Sequence, residues 1–167
     1  MIGQKYLKRY VKTLIENGSF PRFSIFVGPK GSGRKRFLRE YFDGIYPEDN
    51  KVDSIRKLID MAYKVGYQTF IIPDADDMSN AAKNALLKVV EECPNDNRFI
   101  MTLEDEVNTL ETIRSRAQIF YMDMYFPKDL KDYADAIGIK DEEELKIVAD
   151  VCTTPGDVNI LCKHGIK

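Results

Sequence analysis

The chain has 167 residues, 44% of them hydrophobic and 31% charged, with a net charge of −2. That suffices for one ordinary domain, or one domain with a small appendage, and for a buried core, while near neutrality argues against a general polyanion binder. Three cysteines (Cys93, Cys152 and Cys162) with no C-x-x-C pair, and no apolar run of about 18 residues, predict inert thiols and a globular protein of a reducing cytoplasm, with no membrane partner.

Residues 4–17 place Tyr6, Leu7, Tyr10, Val11, Leu14 and Ile15 at helical spacing, with Asn17-Gly18 as the stop. Phe23–Val27 is an apolar strand, and a glycine-rich turn over 28–33 leads into a helix reaching about Phe42. Pro47 and Asp49-Asn50 mark a loop at 44–51, after which Val52–Ala62 is an amphipathic helix. Thr69–Ile72 reads as a strand buried on both faces, Ser79 as the cap of a helix running to Cys93, and Pro94–Asn97 as its breaker. Strands at 99–103 and 119–122 flank a short helix at about 109–115. Beyond Pro127 only helical patterning remains, with Asp129 and Asp141 as expected caps. Alternating strands and helices predict an α/β fold with a parallel sheet flanked by helices. The boundary near 124–127 divides it into residues 1–125 and a small all-helical segment, 126–167. The phenylalanines and tyrosines are expected mostly in the core.

The segment Gly28-Pro29-Lys30-Gly31-Ser32-Gly33-Arg34-Lys35 sits between strand and helix, the context that a phosphate-binding loop requires. The pattern G-x-x-x-x-G-K-[ST] asks for lysine at 34 and a hydroxyl at 35. Arg34 is a rigid planar fork instead of a flexible point charge, and Lys35 sets a cation where a metal ion would sit. Gly28, Gly31, Ser32 and Gly33 still allow a nest of backbone N–H groups, which leaves room for weak ATP or phosphate binding.

An ordered set of motifs resembles the clamp-loader branch of the AAA+ ATPases, and within it the delta-prime type of subunit. Ile2-Gly3-Gln4 is similar to its opening V/I-G-Q, Phe20-Pro21 to its L-P segment, and Val52-Asp53-Ser54-Ile55-Arg56-Lys57-Leu58 to V-D-x-I-R-x-L. Asn84-Ala85-Leu86-Leu87-Lys88-Val89-Val90-Glu91-Glu92 is nearly N-A-L-L-K-x-L-E-E, and Thr112-Ile113-Arg114-Ser115-Arg116-Ala117 matches T-I-x-S-R-C apart from its cysteine. Thr154-Pro155-Gly156 falls where the family's helical lid has S-P-G. The resemblance implies a P-loop NTPase (AAA+, RecA-like) fold with a helical lid. It also implies DNA replication as the process, motor ATPase and clamp-opening subunits as partners, a sliding clamp, and primed DNA indirectly.

The departures from the family shape the functional expectation. Its Walker B aspartate falls on Pro73 and its glutamate on Asp74, the sensor 1 position aligns on Leu103 with Thr102 beside it, and the sensor 2 arginine position holds Asp157. These changes, with Arg34 and Lys35, predict a subunit that does not hydrolyse ATP. Arg116 matches the family's arginine that reaches a neighbour's nucleotide in trans. The plain alternative for it is a surface pair with a carboxylate such as Glu111. Asp74-Ala75-Asp76-Asp77 reads as acidic residues at a strand end and helix start instead of a metal site. The family's zinc cysteines have no counterpart in residues 44–68, so no zinc and no other metal is expected, and no collar domain is expected in a sequence that ends soon after the Pro-Gly motif. Two further readings are an active ATPase using Lys35 and Asp74, and a DNA-binding accessory factor. The second is disfavoured by the near-neutral charge and an expected lack of aromatic-basic interleaving.

Overall fold

The computed structural model describes residues 2–164, the side chain of His164 excepted. Four strands form one sheet: β1 (Phe23–Val27), β2 (Thr69–Ile72), β3 (Arg98–Leu103) and β4 (Gln118–Tyr121), ordered β2-β3-β1-β4. Every pairing is parallel. Ile45 adds an isolated parallel bridge to Phe70 beyond β2. The helices are α1 (Lys5–Glu16), α2 (Arg34–Tyr41), α3 (Val52–Ala62), α4 (Asn80–Glu92), α5 (Glu111–Arg114), α6 (Pro127–Ala136), α7 (Glu142–Val151) and α8 (Pro155–His164).

Strand periodicity sorts side chains onto two cores. Ile25, Phe70, Ile72, Phe99 and Met101 face α3 and α4, meeting Ile55, Leu58, Leu86 and Val89. Phe26, Ile71, Ile100 and Phe120 face α1 and α2, meeting Leu7, Val11, Phe37 and Leu38. On that second face Phe26 lies 4.9 Å from Phe120 and 5.5 Å from Phe37 between ring centroids, so aromatic packing adds to plain area burial. A third cluster of Leu130, Ala134, Val148, Cys152 and Val158 holds α6–α8 together. The strands are buried on both faces because helices cover both, which is why they read as unbroken apolar runs.

Capping residues set several helix starts. Ser79 accepts the N–H of Ala82 at 3.2 Å, and Asp141 accepts those of Glu143 and Glu144 at 3.0 Å. Asp129 is not an N-cap as expected. It sits in the first turn of α6 and accepts the N–H of Phe126 at 3.2 Å. The last strand lies one residue earlier than its apolar run suggests.

Two other expectations are corrected. The phenylalanines are mostly core, whereas Tyr6, Tyr10, Tyr46, Tyr63, Tyr67 and Tyr121 are exposed. Two of their hydroxyls donate to carboxylates, Tyr63 to Glu92 at 2.6 Å and Tyr121 to Glu106 at 2.9 Å. Tyr6 and Tyr10 interleave with Lys5, Arg9 and Lys12 on the exposed side of α1, an arrangement the sequence was expected to lack. Cys93 and Cys152 are buried, and burial raises both thiol pKa values. Cys162 is exposed. Among the described residues no helix is long and apolar enough to cross a membrane.

Candidate functional site

The register aligns the carboxyl ends of the strands: Val27 pairs with both Leu103 and Tyr121. The loops that follow β1, β2 and β3, and the strap 122–126 after β4, therefore gather at one end of the sheet, where open parallel sheets hold ligands. The glycine-rich loop starts with Gly28, whose N–H donates to the Leu103 carbonyl at 3.1 Å. It ends with Gly33 as the N-cap of α2. Between them Gly31 (φ +84°) touches the start of α8: its carbonyl accepts the Gly156 N–H at 3.1 Å. A Cβ on Gly31 would lie 2.6 Å from Thr154 Oγ1, and one on Gly156 would lie 2.5 Å from the Gly31 Cα. Only glycine on both sides permits this approach.

A cavity of about 730 Å³ opens between the loop, the strand ends and α8. Its lining includes the cations Lys30, Arg34, Lys35, Arg36 and Arg39 and the carboxylates of Asp74, Asp76, Asp77 and Glu104. Arg34 is only 6% exposed. Its Nη2 lies 3.5 Å from Asp74 Oδ1 and 3.7 Å from Glu104 Oε1, and its Nη1 lies 4.0 Å from Asp76 Oδ2. Lys35 pairs with Asp74 through Nζ and Oδ2. Asp74 has a left-handed backbone (φ 49°) and donates its N–H to Thr102 Oγ1 at 2.8 Å. The Asn50 side chain holds this corner by donating to the carbonyls of Pro73 and Asp74 at 2.8 and 2.9 Å.

The polar residue beside Asp74 is thus Thr102, fully buried, and not Leu103, whose side chain belongs to the apolar core facing α3 and α4. A one-residue shift along a strand moves a side chain to the other face, which is the physical reason for the correction. Asp76 accepts the N–H groups of Glu104 (2.8 Å) and Asp105 (3.4 Å) and the Asn108 amide (3.2 Å), so it ties the loop after β3. Asp157 completes a capping box on α8. Its carboxylate accepts the Thr154 N–H at 2.8 Å, and its own N–H donates to Thr154 Oγ1 at 3.2 Å. Burial opposes ionisation of Asp157, but hydrogen bonds from Thr153 and Thr154 outweigh it and hold the carboxyl below its usual range.

Arg116 lies apart from this cavity, just after α5. Its Nη1 donates to the Thr112 carbonyl at 2.7 Å, and its Nε lies 3.4 Å from Glu91 Oε2 on α4. The carboxylate beside it is Glu91, not Glu111. Sequence reasoning also missed Asn50, Tyr125 and Gln4. The Tyr125 hydroxyl donates to the Ser32 carbonyl at 2.7 Å. Gln4 donates to the Asp123 carbonyl at 2.7 Å and accepts the Asp123 N–H at 2.6 Å. No local pattern marks these three, because their partners are distant in the chain. The Thr154-x-x-Asp157 box had a readable signature.

A parallel sheet with a glycine-rich loop at its carboxyl ends and helices on both faces defines the AAA+ P-loop class. The solved RuvB branch-migration motor of Thermotoga maritima matches it with a TM-score of 0.73 at 17% identity, over 97% of this chain and 61% of that one. A DNA polymerase III gamma subunit-related protein of the same organism matches at 0.59 and 22%, over 89% and 58%. These likenesses speak for the fold alone. The model of the family described as "DNA polymerase III, delta subunit" matches residues 13–125, and the chain belongs to that clamp-loader family. It is 33% identical to the DNA polymerase III subunit gamma of Buchnera aphidicola over 109 residues, 60% of this chain and 30% of that protein. It is 34% identical to the DNA polymerase III subunit delta' of Yersinia pestis over 84 residues, 46% and 25%. It is 29% identical to replication factor C subunit 3 of Saccharomyces cerevisiae over 116 residues, 58% and 34%. The chain thus spans about a third or less of these curated relatives.

Magnesium, implied by the fold class beside a nucleotide, does not fit the residues present. Lys35 stands where the loop's hydroxyl ligand would be, and Pro73 offers no side-chain ligand. The carboxylates nearest the loop are already matched with fixed cations, Asp74 with Lys35 and Arg34, Asp76 and Glu104 with Arg34. No cluster of three or more metal-ligating side chains occurs among the described residues.

Proposed function

We propose that this chain is a non-hydrolysing, delta-prime-like clamp-loader subunit of the cytoplasmic replication machinery, which donates Arg116 in trans to a neighbouring motor ATPase. The observation that carries this reading is the separation of two features. The carboxylates and cations nearest the chain's own loop are paired with one another along the cavity wall, while Arg116 lies outside the cavity on an exposed turn. A guanidinium aimed at a transferring phosphoryl group stabilises the charge that develops there, worth roughly 10³–10⁵ in rate. Within this chain Glu91 holds the guanidinium in place, and the phosphate of an incoming partner would compete for it. Clamp-opening and motor subunits are the expected neighbours, with the sliding clamp and primed DNA engaged through the assembly.

The test is the ATPase rate of the cognate motor subunit alone, with this chain, and with its Arg116→Ala variant. Stimulation by wild type that falls at least about 10²-fold with the variant is the expected result, given the value of such a finger. Equal rates with wild type and variant, in a complex that forms and hydrolyses, would overturn the trans role. ATP turnover by the isolated chain would overturn the non-hydrolysing half. A second reading, direct DNA contact, gains from the tyrosines set among the cations of α1. It ranks below the first because the whole chain is slightly acidic.

A further inference from the structure

The two edges of the sheet differ. At the β2 edge Ile45 donates to the Thr69 carbonyl at 2.8 Å and accepts the Ile71 N–H at 2.9 Å, so that edge is covered. The β4 edge is open. The Met122 N–H donates inward to the Val27 carbonyl at 2.8 Å, and Tyr121 lies opposite Val27. Alternation along the strand therefore turns the N–H and C=O groups of Ile119 and Tyr121 away from β1. Of these four groups, only the Ile119 carbonyl has a partner among the described residues, the Gln118 side chain at 3.4 Å. Proline, charged side chains and bulges are the usual guards of such an edge, and Gln118-Ile119-Phe120-Tyr121 has none of them.

A groove of about 410 Å³ runs along this edge, walled by Tyr6, Leu7 and Tyr10 of α1 and by Ile119, Phe120 and Tyr121 of β4. Tyr6 is 85% exposed and Tyr10 52%, so two rings stand open beside unpaired backbone. Arg9 follows Tyr6 by three positions and Lys5 by four, which sets both cations along the tyrosine stripe. Both are exposed, and neither has a carboxylate within ion-pair distance among the described residues. We propose that β4 and this groove take up an extended peptide segment of a partner protein as a fifth strand, apolar at alternate positions and acidic beside α1. The outward N–H and C=O groups call for a polypeptide strand, the groove for an apolar side chain at every second position, and Lys5 and Arg9 for carboxylates. A nucleic acid offers no row of alternating donors and acceptors at strand spacing. Asp123, just past β4, and Glu106, which accepts the Tyr121 hydroxyl, confine the acidic residues to the α1 side. This surface shares no lining residue with the loop cavity, and its role does not depend on Arg116.

Selection of a random phage-displayed peptide library against the immobilised full chain supplies the probe, and the enriched peptides are then synthesised and titrated by calorimetry. The expected peptides alternate apolar residues, carry net negative charge and slow hydrogen exchange at the Ile119 and Tyr121 amides. Tyr121→Pro removes an outward N–H where an edge strand tolerates proline, and should weaken binding about tenfold or more. Arg9→Glu should weaken it to a similar degree, and it changes an exposed helix position, so folding is kept. No enriched peptide, enriched peptides of net positive charge, or binding that leaves both amides unprotected and ignores both variants overturns the proposal. A dimer broken by Tyr121→Pro would assign the edge to a second copy of this chain. Oligothymidylate binding broken by Tyr6→Ala would assign the groove to single-stranded nucleic acid. Either result likewise overturns a peptide as the occupant, and none of these outcomes touches the trans role of Arg116, which the ATPase rates decide.

Discussion

At the scale of single residues, Arg34 decides the character of the loop. Its planar fork reaches Asp74, Asp76 and Glu104 together, which a lysine at the same position could not do. Replacing it with alanine leaves these carboxylates clustered, with Lys35 as the cation still paired to Asp74. Breaking a buried pair by removing one partner costs about 3–5 kcal/mol. Here about 2 kcal/mol is expected, because Asp74 and Glu104 keep partial contact with water. Urea unfolding of Arg34→Ala against wild type measures this, and Arg34→Lys should recover less than half of the loss. Full recovery by lysine would mean that charge alone, and not the fork, holds the cluster. The sequence showed that residues 34 and 35 differ from the pattern G-x-x-x-x-G-K-[ST], but not what they contact. Their partners lie about 40 and 70 positions away, and only the fold brings them together.

At the scale of elements, α8 shows how a departure from a family pattern gains a local structural role. Position 157 carries an aspartate that closes a capping box with Thr154, next to a proline at the first helical position. Asp157→Ala should cost about 1 kcal/mol, the usual value of a helix cap. The pH dependence has a defined sign. The folded-state pKa of Asp157 lies below its unfolded value, so the contribution is complete above the unfolded pKa of about 4 and is lost as pH falls through the folded value. The stability difference between wild type and Asp157→Ala should therefore be flat above about pH 5 and shrink in more acidic solution. A difference that persists unchanged to pH 2 would mean the carboxylate is not the stabilising group. Strand and helix positions were mostly legible from periodicity, and Ser79 and Asp141 cap as read. The apolar stripe of α1 was read too wide, because Tyr6 and Tyr10 fit helical spacing yet lie outside the buried line of Leu7 and Val11.

At the scale of the whole molecule, the sheet and the helices α6–α8 meet through the same loop that forms the site. Gly31 lies against Gly156, and Tyr125 in the strap donates to the Ser32 carbonyl, while Gln4 ties the strap down at Asp123. Sequence patterning located the change from alternating to purely helical structure near residue 126. It could not show that the phosphate loop itself would be the seat for α8, since that depends on two glycines 125 positions apart. The closest backbone approach gives the sharpest test. A methyl group at position 156 would stand 2.5 Å from the Gly31 Cα, a contact that no side-chain rotation relieves. Gly156→Ala must therefore push α8 off the loop. An overpacking cost of about 1–3 kcal/mol is expected, together with faster proteolytic cleavage in the strap 122–126. Gly138→Ala serves as a control, since nothing lies within 4 Å of a Cβ there. Gly138 has φ +106°, so it carries a backbone strain of its own but no clash. If the strap is cleaved no faster in Gly156→Ala than in the control, the loop does not hold α8, and the coupling between the site and the helical segment fails with it.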